Sequence, residues 1–311
     1  MRQEDPKTYE VIIIGGGPAG MTAGLYTTRS RLHTLLIERG LFGGQMTTTD
    51  VIENYPGFPQ GTTGEELSRL MEEQAKRFGL ETVSDDVMEV TLEGDRKLVR
   101  AYEKTYCCEA LILGMGTEYR KLGAPGEVEF TGKGVSYCST CDGAFFQDRQ
   151  IVVVGGGDSA LTEALFLTKF AEQVTIIHRR DAFRGTRIYQ ERAQANPKVK
   201  FLLNSVVQEI KGDTVVGSIV VKNVKTGEVK EFETDGAFIF VGITPRTQFL
   251  KGLVDVDEAG YVLTNANCET SVKGIFAAGD CRKQLLRQIA TAVGDGATAA
   301  FAVEKYLESK E

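Results

Sequence analysis

The sequence predicts an α/β protein of two three-layer ββα domains built on mostly parallel sheets, the second domain inserted into the first. Three observations carry that expectation. A 28-residue pattern occurs twice, as Val11–Glu38 (VIIIGGGPAGMTAGLYTTRSRLHTLLIE) and as Ile151–His178 (IVVVGGGDSALTEALFLTKFAEQVTIIH). Two short glycine-bearing segments, Gly114–Arg120 and Gly242–Gln248, enclose the second copy. Beyond them, Gly274–Leu307 holds an apolar strand, GIFAAGD, and a helical stretch of about 20 residues that needs a core to pack on. The first domain is therefore expected over 1–117 and 248–311, and the inserted one over 118–247.

Each copy is an apolar run, three glycines, an amphipathic stretch and a second apolar run. That is the strand–turn–helix–strand unit of Rossmann-like dinucleotide-binding domains, whose glycine turn brings backbone amides at a helix N-terminus up to a pyrophosphate. Gly15, Gly17, Pro18, Ala19 and Gly20 supply this turn in the first copy, and Gly155, Gly157, Asp158, Ser159 and Ala160 in the second. The copies differ at the end of the second strand. The first ends in Glu38, a carboxylate suited to ribose hydroxyls; the second ends in His178-Arg179-Arg180, with Arg184 a turn later. A carboxylate repels an additional phosphate, whereas guanidinium forks bind it. The first site is thus expected to take FAD and the second NADPH. The plainer reading is a solvated basic turn, which three arginines at this one position disfavour.

The other elements follow in order. Leu41–Pro59, rich in Gly, Thr and Pro, is expected to be irregular and to carry ligand contacts. Thr63–Gly79 has helical periodicity, with Leu67, Leu70, Met71 and Phe78 on one face. Alternation from Thr82 to Tyr106 predicts a small antiparallel sheet, and Ala110–Leu113 a strand running into Gly114-Met115-Gly116. In the inserted domain we expect a helix near Arg187–Asn196, a β-rich stretch Val206–Glu233 turning at Thr226-Gly227, and a closing strand Ala237–Val241. Two short crossings side by side are the geometry of a hinge.

A net charge of -7 argues against nucleic acid as a partner. No apolar run approaches the ~20 residues of a membrane span. The polar start, MRQEDPKTYE, leads straight into the first strand, so no signal peptide is expected and a cytoplasmic location follows. In that compartment six cysteines do not suggest a static disulfide framework. Cys138-Ser139-Thr140-Cys141 then reads as a redox-active pair beside a βαβ pattern. Half of a zinc site would need a second close pair or a histidine cluster, and none is visible: Cys107-Cys108 open a strand, Cys268 and Cys281 stand alone, and His33 and His178 lie in the repeats. Those four cysteines read as structural. Asp142 could exchange a proton with the thiols, and on spacing alone it could equally be a turn carboxylate ahead of Gly143.

Taken in order, these motifs resemble the low-molecular-weight thioredoxin reductases over nearly the whole chain. The carrying segments are Gly15–Gly20, Gly43-Gly44-Gln45, Glu53–Gly57 (ENYPG), Cys138–Gly143, Gly155–Ala160, His178–Arg184 (HRRxxxR), Gly274–Asp280, and Arg287-Gln288 with the tail helix. The resemblance implies a homodimer that moves electrons from NADPH through FAD to a Cys138–Cys141 disulfide and on to thioredoxin, with domain rotation between half-reactions. It implies Cys141 as the sulfur that reacts with the flavin, Cys138 as the thiol that attacks thioredoxin, and Asp142 as general acid and base. Gly44, Gln45, Asn54, Gly279, Asp280, Arg287 and Gln288 would complete the FAD site, with Asp280 at the ribityl chain and Arg287-Gln288 at the ring.

Three positions depart from the family's pattern: Gly114-Met115-Gly116 in place of Ala-Thr-Gly, Ala144 before Phe145-Phe146, and Lys133 where an arginine is usual. The last two bear on the surface that meets thioredoxin. Rival readings fare less well. A peroxiredoxin-reducing relative carries a further N-terminal disulfide domain, a dithiol oxidase lacks the second nucleotide site, and a ferredoxin reductase lacks the thiol pair. A non-catalytic NADPH sensor would need neither Asp280 nor the cysteines.

Overall fold

The computed structural model describes residues 6–310; the first five residues of the polar N-terminal stretch lie outside the described residues. The chain opens with β1 (Lys7–Ile14), α1 (Pro18–Arg29) and β2 (Thr34–Glu38). Val11–Ile14 are at most 5% exposed, as expected of a parallel strand covered on both faces. Next come α2 (Gly64–Lys76), β3 (Glu81–Ser84), β4 (Val87–Glu93), β5 (Arg96–Ala101) and β6 (Thr105–Leu113). Thr63 caps α2, its hydroxyl accepting from Glu66 N at 3.1 Å. Leu67, Ser68 and Ala75 form the buried stripe of α2, and Leu70, expected among them, lies to its side and is 37% exposed.

β7 (Thr117–Tyr119) leads to β8 (Val135–Ser136), α3 (Ser139–Asp142), β9 (Gln150–Gly155), α4 (Asp158–Leu167), β10 (Gln173–Ile177), α5 (Arg187–Ala195) and β11 (Val199–Leu202). β12 (Ser205–Gly212), β13 (Val216–Asn223), β14 (Val229–Glu233) and β15 (Gly236–Phe240) follow. The chain ends with β16 (Ile243–Pro245), β17 (Ile275–Ala277) and α6 (Ile289–Glu308). One compact unit runs to Glu118 and resumes at Thr244; the other is Tyr119–Ile243. No helix among the described residues is long and apolar enough to cross a membrane.

The first unit holds a seven-stranded sheet of order β3-β2-β1-β6-β5-β4, with β17 on the second half of β6. Expectation and structure part at Thr82–Tyr106. β3 is parallel to β2, and the β4–β5 hairpin pairs with the start of β6, so both extend the main sheet. The reason is topological: the chain returning from α2 crosses over to the open edge of β2, which dictates a parallel neighbour. One sheet face buries Ile12, Ile14, Leu111 and Leu113 with Val90 and Val99. The other buries Val11, Ile13 and Ile112 against Ala19 and Ala23 of α1 and Ala299 and Val303 of α6.

In the second unit five parallel strands, β11-β10-β9-β15-β8, lie between two layers. Ile151, Val153 and Phe238 pack on Leu161, Ala164 and Leu167 of α4, whereas Val152, Val154 and Ile239 pack on Ile210, Ile219 and Val221 of the antiparallel β12–β14 sheet. Helix, parallel sheet and antiparallel sheet make the ββα sandwich that the sequence predicts.

Candidate active site

In the first unit the glycine turn follows β1. Gly15 has φ +105°, and a Cβ there would lie 2.4 Å from Gly114 O, so only glycine fits. Gly17 caps α1 with open space beside it, and Pro18 follows at the first helical position, where its missing N–H is not needed. Ala19 and Gly20 are buried behind the turn. Glu38 closes the mouth: its carboxylate accepts Gly16 N at 2.6 Å and Gly40 N at 2.8 Å. Beside it a narrow pocket is lined by Gly15, Glu38, Arg39, Asp86, Met115 and Arg246. Arg246, which sequence reasoning did not single out, lies 3.7 Å from Asp86, and burial, with Arg39 close by, lowers its pKa.

At the C-terminal side of the same unit, Gln45 Nε2 donates to Thr117 O and Oγ1 at 2.7 and 2.8 Å, just after Gly44. Asn54 Nδ2 donates to Gln288 Oε1 at 2.8 Å, and Gln288 caps α6 through a reciprocal box with Thr291. Arg287 stacks 4.0 Å from the Tyr261 ring centroid and donates to Asp280 O at 3.4 Å. Asp280 Oδ1 is buried without a hydrogen-bond partner, and burial pushes its carboxyl up to about 6 against the pull of Arg287. A second clamp escaped sequence reasoning. Asp295 of α6 accepts Gly279 N at 3.0 Å and Arg282 Nη1 at 2.8 Å, fixing both ends of the turn that presents Asp280. Its one sequence signal is an acid amid the small residues of the tail helix.

These residues fit FAD. The open space at Gly17 admits phosphates, Glu38 offers acceptors for a ribose, and the unpartnered Asp280 oxygen is what a polyhydroxyl chain would satisfy.

The second unit repeats the turn. A Cβ at Gly155 would lie 2.4 Å from Phe240 O, and Gly157 caps α4 with open space. Asp158 and Ser159 are exposed at the start of the helix and Ala160 is buried. Asp158 accepts Thr186 N, tying the arginine loop to the helix start. His178 turns inward: 5% exposed, it lies under Gly156 and stacks on Phe183 at 5.4 Å. Burial lowers its pKa, and Arg184, Arg180 and Arg179 lower it further, so the ring is neutral at physiological pH. Arg179, Arg180 and Arg184 point outward and are exposed; none forms a salt bridge among the described residues, and the acid between them, Asp181, is paired with Lys225 at 2.9 Å. Three unpaired guanidiniums at the strand end suit a 2′-phosphate, so the loop fits NADPH.

Cys138 and Cys141 are joined in a disulfide, with Cα atoms 5.4 Å apart. Cys138 caps α3, its sulfur accepting Cys141 N at 3.2 Å, and Asp142 N donates to Cys138 O at 3.2 Å. Cys141 is exposed; Cys138 and Asp142 are half-buried. Ser136 brackets Cys138, its hydroxyl accepting Cys138 N at 3.0 Å and donating to Cys138 O at 3.2 Å. Glu127, 1% exposed, accepts Leu122 N, Gly123 N and Tyr137 OH at 2.6 Å each and so anchors the residue before Cys138. Nothing in the sequence marks Glu127. Phe145 is 80% exposed, whereas Phe146 packs edge-on to Phe238 in the core. The other cysteines are buried thiols, and burial pushes Cys268 up to about 11 and Cys108 and Cys281 up to about 12, leaving them unreactive.

The raised carboxyl of Asp280 has a testable consequence. Folding disfavours its ionised form, so the penalty grows as pH rises from about 4 and is complete above about 6. Asp280→Asn is expected to stabilise the flavin-free protein at pH about 7.5 by up to about 3 kcal/mol, and not at pH about 4. It is also expected to weaken FAD retention. A stability gain independent of pH, measured by urea unfolding, would contradict the assignment.

The model of the pyridine nucleotide-disulphide oxidoreductase family matches residues 9–296. The chain is 52% identical over 305 residues to thioredoxin reductase of Bacillus subtilis (strain 168), covering 98% of this chain and 96% of that one. Among solved structures, Lactococcus lactis thioredoxin reductase superposes with a TM-score of 0.95 at 48% identity, covering 97% of this chain and 99% of that one. Thioredoxin reductase of T. acidophilum gives 0.93 at 34% identity, covering 98% and 100%. The chain belongs to the pyridine nucleotide-disulphide oxidoreductase family and, within it, to the low-molecular-weight thioredoxin reductases.

Proposed function

We propose that the protein is a cytoplasmic, NADPH-dependent flavoprotein that reduces the disulfide of thioredoxin. The observation that carries this reading is the Cys138–Cys141 disulfide in the same unit as a glycine turn flanked by three exposed arginines. FAD, when bound, relays the two electrons of NADPH to that disulfide. Gly15, Gly17, Pro18, Ala19, Gly20 and Glu38 hold its ADP half, and Gly44, Gln45, Asn54, Gly279, Asp280, Arg287 and Gln288 its flavin half. Gly155, Gly157, Asp158, Ser159 and Ala160 receive the pyrophosphate of NADPH. Arg179, Arg180 and Arg184 bind its 2′-phosphate, with His178 supporting the turn from beneath.

Cys138 attacks the thioredoxin disulfide, Cys141 resolves the mixed disulfide, and Asp142 holds the proton that the thiols gain and lose. Exposed Phe145 and Lys133 belong to the surface that meets thioredoxin. A homodimer through the first unit is part of the same reading, supported by exposed Tyr26 on α1 and Phe301 on α6.

Each charge-assisted contact to the 2′-phosphate is worth about 1.5–3 kcal/mol. In a thioredoxin-coupled assay, Arg179→Ala, Arg180→Ala or Arg184→Ala is therefore expected to raise KM for NADPH about 10- to 100-fold while leaving NADH nearly unchanged. Equal use of NADPH and NADH by the unaltered protein would overturn the coenzyme assignment. Both crossings between the units are short, which supports rotation of the inserted unit between half-reactions. Cross-linking the units in one orientation is expected to preserve one half-reaction and stop the other; full turnover after cross-linking would refute alternation.

A further inference from the structure

Two hydroxyl residues, Ser139 and Thr140, stand between the redox cysteines, and only one of them reaches sulfur. Ser139 Oγ is buried with no hydrogen-bond partner, whereas Thr140 Oγ1 lies 3.5 Å from Cys138 Sγ. The same sulfur accepts the backbone N–H of Cys141 at 3.2 Å. Two donors thus converge on Cys138 while the disulfide is still closed. We propose that the Thr140 hydroxyl and the Cys141 amide form a donor pair that stabilises the Cys138 thiolate, making Thr140 a catalytic residue of the thiol–disulfide exchange. The inference rests on the reading of Cys138–Cys141 as the redox couple and adds what distinguishes its two sulfurs.

An attacking thiolate of a dithiol reductant forms a new S–S bond to Cys141 Sγ; the Cys138–Cys141 bond breaks and its electron pair stays on Cys138 Sγ. The second thiolate of the dithiol then displaces Cys141, leaving the reductant oxidised and both cysteines reduced. In the opposite sense, Cys138 Sγ attacks a partner disulfide, forms one S–S bond to the partner, and expels the partner's other sulfur as a thiolate. Charge develops on Cys138 in the first of these steps and is spent from it in the attack on the partner disulfide, and a hydrogen-bond donor facing an anion strengthens as that charge develops. The leaving group with the better-stabilised thiolate departs faster. Donors already in place at Cys138 therefore favour its expulsion over that of Cys141, and they hold it as the thiolate ready to attack.

Thr140→Val keeps the size and shape of the side chain and removes the donor; Thr140→Ser keeps the donor. The test uses the reduced, flavin-loaded protein. The rate of iodoacetamide alkylation at Cys138 is followed peptide by peptide across pH about 5 to 9. Thr140→Val is expected to move the Cys138 profile to higher pH, cutting the rate on its rising limb about tenfold, and Thr140→Ser to restore it. A tenfold loss of thiolate stabilisation also makes the couple more reducing by about 30 mV in equilibration with dithiothreitol. Should Thr140→Val not retain flavin, Thr140→Ala is read in the same way. A profile for the donor-free variant that superimposes on the parent overturns the proposal. The reading beneath it fails separately: if NADPH does not reduce the pair in the unaltered protein, the redox assignment falls even where the alkylation profile moves.

Discussion

At the ends of two strands backbone meets backbone so closely that both nucleotide turns are dictated by it. In the first unit the turn after β1 presses on the end of β6, leaving 2.4 Å between a Cβ at Gly15 and Gly114 O; in the second the turn after β9 presses on the end of β15, leaving 2.4 Å between a Cβ at Gly155 and Phe240 O. Neither approach admits a side chain. Because the turns are closed on the inside, Gly17 and Gly157 are left open on the outside, at the first residues of α1 and α4. That opening, with the helix amides behind it, suits a pyrophosphate. The third glycine position shows a difference in packing: a Cβ at Gly20 would collide with Gly15 O, whereas Ala160 carries its methyl into the second turn.

On this shared frame the two strand ends differ electrostatically. Glu38 is held by two backbone amides, Gly16 N and Gly40 N, so its charge stays at the mouth of the first turn. In the second, the neutral His178 fills the space beneath Gly156, the arginines that follow form no salt bridge among the described residues, and Lys225 takes Asp181. The redox cysteines are positioned by a different device, a short turn braced from behind. Ser136 grips Cys138 on both backbone atoms, and Glu127, held by the Leu122 and Gly123 amides, accepts the Tyr137 hydroxyl.

Much of this was legible in the chain because both repeats combine two strong signals, an apolar run buried on both faces and a glycine turn. The tail helix was legible from its length and small residues, and the inserted unit from the segments that flank it. What the sequence did not disclose depends on tertiary partners. Glu81–Ser84 alternates as an antiparallel strand would, yet the edge of β2 makes it parallel. Leu70 is apolar and helical but falls beside the buried stripe of α2. Arg246 meets Asp86, remote in sequence, whereas Asp295 and Glu127 tie together loops of their own neighbourhoods, and no residue pattern marks either kind of contact. His178 was legible as part of the arginine motif, whereas its inward turn was not.

What the two strand ends and the disulfide together require is that reducing equivalents from a phosphorylated nicotinamide coenzyme reach Cys138 and Cys141. The most direct measurement is mass spectrometry of cysteines alkylated under anaerobic, native conditions after the flavin-loaded protein has been mixed with NADPH or with NADH. Labelling is expected at Cys138 and Cys141 with NADPH, little with NADH, and none at buried Cys107, Cys108, Cys268 and Cys281. An unlabelled Cys138–Cys141 pair after NADPH, or equal labelling with both coenzymes, would contradict it.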